Sequence, residues 1–231
     1  MLNELKQQVW QANLDLVETG LVILTWGNVS GIDRDRGVVV IKPSGVPYDR
    51  LQPEDLVVVN LADGKVLEGK LNPSSDTPTH LALYRAFTEI GGVAHTHSPG
   101  AVAWAQACRD IPCLGTTHAD HFAGPVPVTR KLSPAEIAER YEENTGVAIV
   151  ERFRSGNLDP ATVPAVLVPH HGPFTWGKSA AAAVEHALIL EAVAGMARKT
   201  LSLNPAAVIP EELTAKHFRR KHGPEAYYGQ Q

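Results

Sequence analysis

Gly91-Gly-Val-Ala-His-Thr-His97 is the stretch on which the fold turns. The paired glycines close a helical pattern, and the apolar-led segment Val93 to His97 reads as a short buried strand. Upstream, Thr77-Pro78 reads as an N-cap followed by proline at the first helical position. Leu81, Tyr84 and Phe87 then recur at intervals of three, so a helix begins just after Asp76. Downstream, the next helix is expected over Ala101 to Ala107.

The same reading extends in both directions. Leu5, Val9, Ala12 and Leu16 keep helical spacing up to Gly20, giving an amphipathic first helix with a glycine stop. Val38 to Ile41 and Leu56 to Val59 are β-branched and bounded by Gly, Pro and Asp, as strands are, with Lys42-Pro-Ser-Gly45 as a turn. Ser133-Pro-Ala-Glu136 fits a capping box, so a helix is expected to run on past Tyr141 and Glu142. Ala165 to Val168 is a further strand, and after a turn at Gly172-Pro173 a long alanine-rich helix spans Ser179 to Lys199, with Val184, Leu188 and Val193 toward the core. Neither GxxxxGK[ST] nor GxGxxG is present to suggest a nucleotide fold, and no repeat or low-complexity linker divides the chain. A single domain over 1–231 is expected, of class α/β or α+β, in three layers with a mainly antiparallel central sheet.

Of the 231 residues, 44% are apolar and 20% charged, an ordinary composition for a chain that builds a sizeable core. The formal net charge of −4 offers no general basic surface for nucleic acid or an anionic membrane, so any phosphate recognition must be local. The first ten residues carry polar and charged groups throughout instead of a leader-like apolar core, and a cytoplasmic location is expected. Cys108 and Cys113 lack CxxC spacing and read as ordinary thiols.

His95 and His97 stand at i and i+2 on the expected strand, so both imidazoles project from one face and can share an ion. The pattern is short, and a pair of hydrogen-bonded histidines would look the same. His170-His-Gly-Pro173 ends another apolar strand and offers a third imidazole; three nitrogens leave coordination positions open for substrate oxygens. Asp76 is the candidate fourth ligand, its alternative role being a helix-capping carboxylate. Nitrogen ligands suit Zn²⁺, with Mn²⁺, Co²⁺ or Ni²⁺ as substitutes. His80, His118, His121 and His186 lack the paired spacing and read as structural or supporting residues. Thr25 to Ser30, Lys42 to Gly45 and Asn72 to Asp76 are rich in amides, hydroxyls and glycine, a chemistry that cradles phosphate and also makes plain turns. Thr116-Thr-His-Ala-Asp120 supplies a carboxylate in an expected loop, and Tyr227-Tyr228 supply phenols after the basic run His217 to His222. Taken alone, these read as a turn residue and a solvated charge run.

In order along the chain, TWGNVS at 25–30, KPSG at 42–45, NPSSDTPTH at 72–80, HTHS at 95–98, GTTHAD at 115–120, HGPF at 171–174 and the tail KHGPEAYYGQ at 221–230 resemble the class II aldolase/epimerase superfamily. The resemblance implies an α/β/α three-layer fold, a zinc site, and a homotetramer with active sites at subunit interfaces. It implies His95, His97 and His171 as zinc ligands with Asp76 at the metal, the choice of His171 over His170 following the family's HG register. Gly27, Asn28, Ser44, Gly45, Ser74 and Ser75 match phosphate-binding positions, and Lys42, Asp76, Thr116, Glu142, His217 and Arg220 complete the expected substrate-binding set. Asp120 and Tyr228 match an acid/base pair, the tyrosine coming from a neighbouring subunit. Within the superfamily the likeness is to its pentose-phosphate epimerases, which implies exchange of L-ribulose 5-phosphate and D-xylulose 5-phosphate by retro-aldol cleavage between C3 and C4, through an enediolate, and re-addition. A phosphosugar aldolase of the L-fuculose-phosphate kind is the alternative, although its pattern has glutamate where this chain has Asp76. A non-catalytic module like the adducin head is another, although that lacks the metal ligands.

Overall fold

The computed structural model describes residues 2–223 and 226–228. Met1 and the end of the tail, including Gln231 beyond the matching motif, lie outside the described residues. Elements follow in the order α1 (Leu2–Glu18), β1 (Asn28–Asp33), β2 (Val38–Ile41), β3 (Val57–Asn60), β4 (Val66–Glu68), α2 (Thr77–Ala86), β5 (Gly92–His95), α3 (Pro99–Gln106), α4 (Thr116–Ala119), α5 (Pro134–Ala138), α6 (Tyr141–Ser155), β6 (Ala165–Leu167), β7 (Pro173–Gly177), α7 (Ala180–Leu203) and α8 (Glu211–Lys221).

The strands form one sheet in the order β4-β3-β2-β1-β5-β7-β6, and the registers between its named strands are all antiparallel. The two-residue period of the pleat explains why the valine runs are apolar throughout. Val39, Ile41, Val57, Val59 and Val93 face α2 and α6, packing with Leu83, Tyr84, Ile149 and Phe153. Their neighbours Val38, Val40, Val58 and Ala94 face α1 and α7, packing with Val9, Leu16, Val184 and Ala187. Helices on both faces of an antiparallel sheet give the expected three layers. A third cluster joins α3 and the later turns of α7 to β6.

Several boundaries differ from the sequence reading. Asp76 and not Thr77 is the N-cap of α2, and its side chain makes no cap hydrogen bond. Helix α2 ends at Ala86, so Gly91 and Gly92 do not stop it; a Cβ at Gly91 would strike the backbone of Lys178 and one at Gly92 that of Ser179 and Ala180, and glycine is there to let two chain segments touch. The capping box at Ser133 forms, but the helix it opens stops at Ala138, and Arg140, in the left-handed region at φ 54°, turns the chain into the separate α6. Pro173 starts a strand. Helix α7 is long and apolar enough to cross a membrane, yet Val184, Leu190, Val193 and Ala197 pack into the core, while Leu188 points outward at 44% exposure.

Candidate metal and anion site

Strands β1, β5 and β7 are neighbours, and their ends bring the histidines together. His95 is the last residue of β5, paired with Asn28 on one side and Phe174 on the other. His97 lies just past that strand, so the pleat alone does not aim it; the chain leaving β5 does. The ligand atoms of His95, His97 and His171 lie within 4.8 Å of one another, and their ring centroids are 4.6 to 5.2 Å apart. His170 takes no part: in the left-handed region at φ 61°, it sends Nε2 to within 3.5 Å of the Cys108 sulfur.

The donor chemistry fits a divalent ion. His95 is buried and stacks on Phe174 at 4.3 Å. Its Nδ1 lies 2.9 Å from the Pro173 carbonyl, which can only accept, so Nδ1 carries the proton. Nε2 is buried with no partner among the described residues, the arrangement that leaves its lone pair to a metal. Burial, then the neighbouring His95, pushes His171 down to about 3 and lowers His97, so these two imidazoles are neutral at physiological pH, the form a metal ligand needs. Asp76 stands outside the cluster of nitrogens. Its Oδ2 accepts from Asn28 Nδ2 at 2.8 Å; burial alone would raise its pKa, but electrostatic interaction with the neighbouring imidazole rings and the Asn28 bond outweigh it and hold the group below the usual carboxylate range.

His97 and His171 line a cavity of about 300 Å³ with Thr25, Trp26, Gly27, Asn28, Lys42, Ser44, Gly45, Ser74, Ser75 and Asp76. Two loops make its floor. Ser44 N–H donates to the Asn72 carbonyl and Ser74 N–H to the Lys42 carbonyl, each at 3.0 Å, which clamps the loops together while the exposed Ser44 and Ser75 hydroxyls stay free of partners among the described residues. Gly27 sits at φ 102°, where a Cβ would lie 2.8 Å from the His95 carbonyl, so glycine is required at this approach. Lys42 is 1% exposed and meets no carboxylate among the described residues: its Nζ donates to the Val46 and Pro43 carbonyls at 2.8 and 3.3 Å and lies over the Tyr48 ring at 4.6 Å. Burial lowers Lys42 to about 8. A buried ammonium with no carboxylate partner among the described residues, in a cavity that also holds free hydroxyls, has the chemistry to receive an anion.

The remaining expected residues gather elsewhere. Asp120 caps α4 and is held by α8: Arg220 Nε and Nη2 donate at 2.9 and 2.6 Å, His217 Nδ1 at 2.9 Å, and Lys221 stands at 3.7 Å. Burial opposes ionisation of Asp120, but the hydrogen bonds from Arg220 and His217 prevail and keep it a carboxylate. Tyr228, 61% exposed, lies against Arg220 and Lys221. Thr116 opens α4, and Glu142 lies in the first turn of α6, where its carbonyl accepts from Thr79 Oγ1 at 2.6 Å. None of Thr116, Asp120, Glu142, His217, Arg220 and Tyr228 lines the cavity with the histidines. Two residues at the site carried no sequence signal: Tyr141, whose hydroxyl is 3.2 Å from His171 Nδ1, and Tyr48, which donates to the Gly27 carbonyl at 2.8 Å. Aromatic residues in helices and turns look like core, and the contact alone reveals their place.

Residues 7–197 match the family model described as the Class II Aldolase and Adducin N-terminal domain. The chain is 56% identical over 230 residues to the L-ribulose-5-phosphate 4-epimerase UlaF of Salmonella paratyphi B, spanning 99% of this chain and 100% of that protein. The protein of the same name from Salmonella typhi is 55% identical over the same shares. Among solved structures, an L-fuculose 1-phosphate aldolase superposes with a TM-score of 0.77 at 25% identity, covering 94% of this chain and 95% of that one. The L-fuculose-1-phosphate aldolase of Thermus thermophilus gives 0.67 at 27% identity, over 89% and 100%. With the family model matched over residues 7–197 and relatives 56% identical over their full length, this chain belongs to the class II aldolase and adducin N-terminal domain family.

Proposed function

We propose that the chain is a metal-dependent L-ribulose-5-phosphate 4-epimerase, exchanging L-ribulose 5-phosphate and D-xylulose 5-phosphate. The full-length identity of 56% to relatives bearing that name carries the reading. The cluster of three imidazoles next to a cavity lined by hydroxyls and Lys42 supports it. His95, His97 and His171 would hold the ion, with Asp76 tuning the site from its edge, and Zn²⁺ is the fitting metal for three imidazoles. A bound divalent ion supplies Lewis-acid stabilisation of the oxygens that gain charge when C3–C4 breaks. Ser44, Gly45, Ser75 and Lys42 would fix the phosphate, and Asn28 would orient Asp76. Asp120 and Tyr228 would move the C4 hydroxyl proton. Because both stand outside the cavity of their own chain and both gather at Arg220, a neighbouring copy would bring them to it, which supports the homotetramer reading. The three apolar clusters share one sheet, so the chain is read as a single domain, and the chemistry as cytoplasmic carbohydrate breakdown.

Incubation with L-ribulose 5-phosphate and Zn²⁺ is expected to yield D-xylulose 5-phosphate. Stoichiometric free dihydroxyacetone in its place would support the alternative, a phosphosugar aldolase, to which the solved structures of fuculose-phosphate aldolases lend weight. The cradle adds a pH test. Lys42 binds an anion as an ammonium, and its pKa of about 8 means the charge is lost as pH rises through that value. The inhibition constant of inorganic phosphate should therefore rise above pH 8, approaching about tenfold per pH unit. In Lys42→Met the constant should be weak and flat from pH 7 to 9; a wild-type constant equally flat would remove Lys42 from the cradle.

A further inference from the structure

Trp26 is unlike the other tryptophans of the chain. Trp10, Trp104 and Trp176 donate their indole N–H to the carbonyls of Leu51, Ala194 and Pro160 at 2.7 to 3.0 Å. The Trp26 N–H has no partner among the described residues, and the side chain is 49% exposed at the end of an apolar turn that also exposes Ile23 and Leu24. Yet its ring lines the cavity, 6.0 Å from the His97 imidazole and tilted 46° to it. An indole that neither completes the core nor bonds within its own fold has its surface available to whatever fills that cavity.

We propose that Trp26 is a specificity-determining wall, which keeps the aldehyde fragment in the site between bond cleavage and bond remaking. The proposal rests on the epimerase reading. In that reaction the C3–C4 electron pair stays with C3, the C4 hydroxyl proton passes to a base, and C4 becomes an aldehyde carbon. After the aldehyde has turned its other face, C3 attacks it and the new C4 oxygen takes back a proton, so atoms and electrons balance without a co-reactant. The balance does not decide whether glycolaldehyde phosphate stays. The cradle of Ser44, Gly45, Ser75 and Lys42 would hold its phosphate end alone, and the aldehyde end must swing. A polar wall would grip one face of the carbonyl and oppose the turn. A flat apolar one confines the fragment, lets it rotate, and excludes water that would carry it off.

Purified wild type, Trp26→Ala and Trp26→Phe, each loaded with Zn²⁺, are given L-ribulose 5-phosphate, and free dihydroxyacetone is measured per D-xylulose 5-phosphate formed. The ratio is expected to rise at least about tenfold in Trp26→Ala, equivalent to roughly 1.4 kcal/mol of lost retention, and to stay within about twofold of wild type in Trp26→Phe. Zinc stoichiometry should be equal in all three, since an indole is no ligand. Should Trp26→Ala fail to fold, Trp26→Leu carries the same test with a smaller rise expected. A wild type that epimerises while the ratio is unchanged in the truncated variant overturns the role of Trp26 alone. A wild type that forms no D-xylulose 5-phosphate overturns the epimerase reading, and this inference with it.

Discussion

His97→Ala is expected to leave the purified protein without its divalent ion after dialysis and to lower epimerisation by more than about 10³-fold. Three nitrogens within 4.8 Å make the site, and two cannot hold an ion as three do. Losing even a supporting partner of a ligand costs about 10–100-fold in affinity, so losing a ligand must cost more. The catalytic loss follows because Lewis-acid stabilisation supplies several kcal/mol, and each 1.36 kcal/mol is about tenfold in rate. His97 is the clean choice among the three. It is half-buried and makes no protein hydrogen bond among the described residues, so the fold should survive its truncation. His95→Ala would lose metal too, but it would also leave the Pro173 carbonyl with only the long 3.4 Å bond from Thr96 N–H and empty the stack on Phe174, adding about 1–3 kcal/mol of instability. Metal analysis with thermal unfolding separates these cases. Wild-type metal stoichiometry in His97→Ala would falsify the triad.

How far the fold could be read depended on what each strand is for. The runs Val38 to Ile41 and Val57 to Val59 pack both faces against helices, so they are β-branched at every position and stood out. Strand β1 lies at the centre of the sheet and was missed, because its sequence Asn28-Val-Ser-Gly-Ile-Asp33 serves other needs. Asn28 holds Asp76, Ser30 bonds His80 and Tyr84, and a Cβ at Gly31 would lie 2.8 Å from a Val9 methyl. Strand β7 was hidden by the proline that begins it, which turn statistics claim first. The site divides in the same way. His95 and His97 were legible as a spaced pair, though the reason given, a shared strand face, holds for His95 alone. No spacing argument chooses between His170 and His171; a single left-handed backbone angle does. The basic run after residue 217, which charge alone would leave in solvent, is instead the grip on Asp120, a contact across about a hundred residues that no local pattern announces.

That grip makes Asp120→Asn the second informative substitution. Epimerisation is expected to fall by about 10²- to 10⁴-fold, the range for removing a proton-transfer group, while bound zinc stays at wild-type stoichiometry. The reasoning is one of shape against charge. Asparagine fits the space, so α4 keeps its place, and no histidine of the triad touches Asp120. But the carboxylate's two oxygens accept from Arg220 and His217, and an amide nitrogen in place of one oxygen would face the Arg220 Nη2 donor. The variant cannot take a proton, and its hold on α8 is weaker. The second effect has its own signature. Arg220 and His217 lower the Asp120 pKa, so its stabilisation is complete above the unfolded value of about 3.9 and is lost as pH falls through the lower folded value. The stability deficit of Asp120→Asn should thus be constant at neutral pH and close below about pH 4. Arg220→Met tests the division: it removes the clamp and leaves the carboxylate. Arg220→Met should share the loosening of α8, seen as faster amide exchange there, yet retain more activity than Asp120→Asn. Equal activity loss in the two variants would mean that Asp120 acts as an anchor for α8 and not as a proton-transfer group.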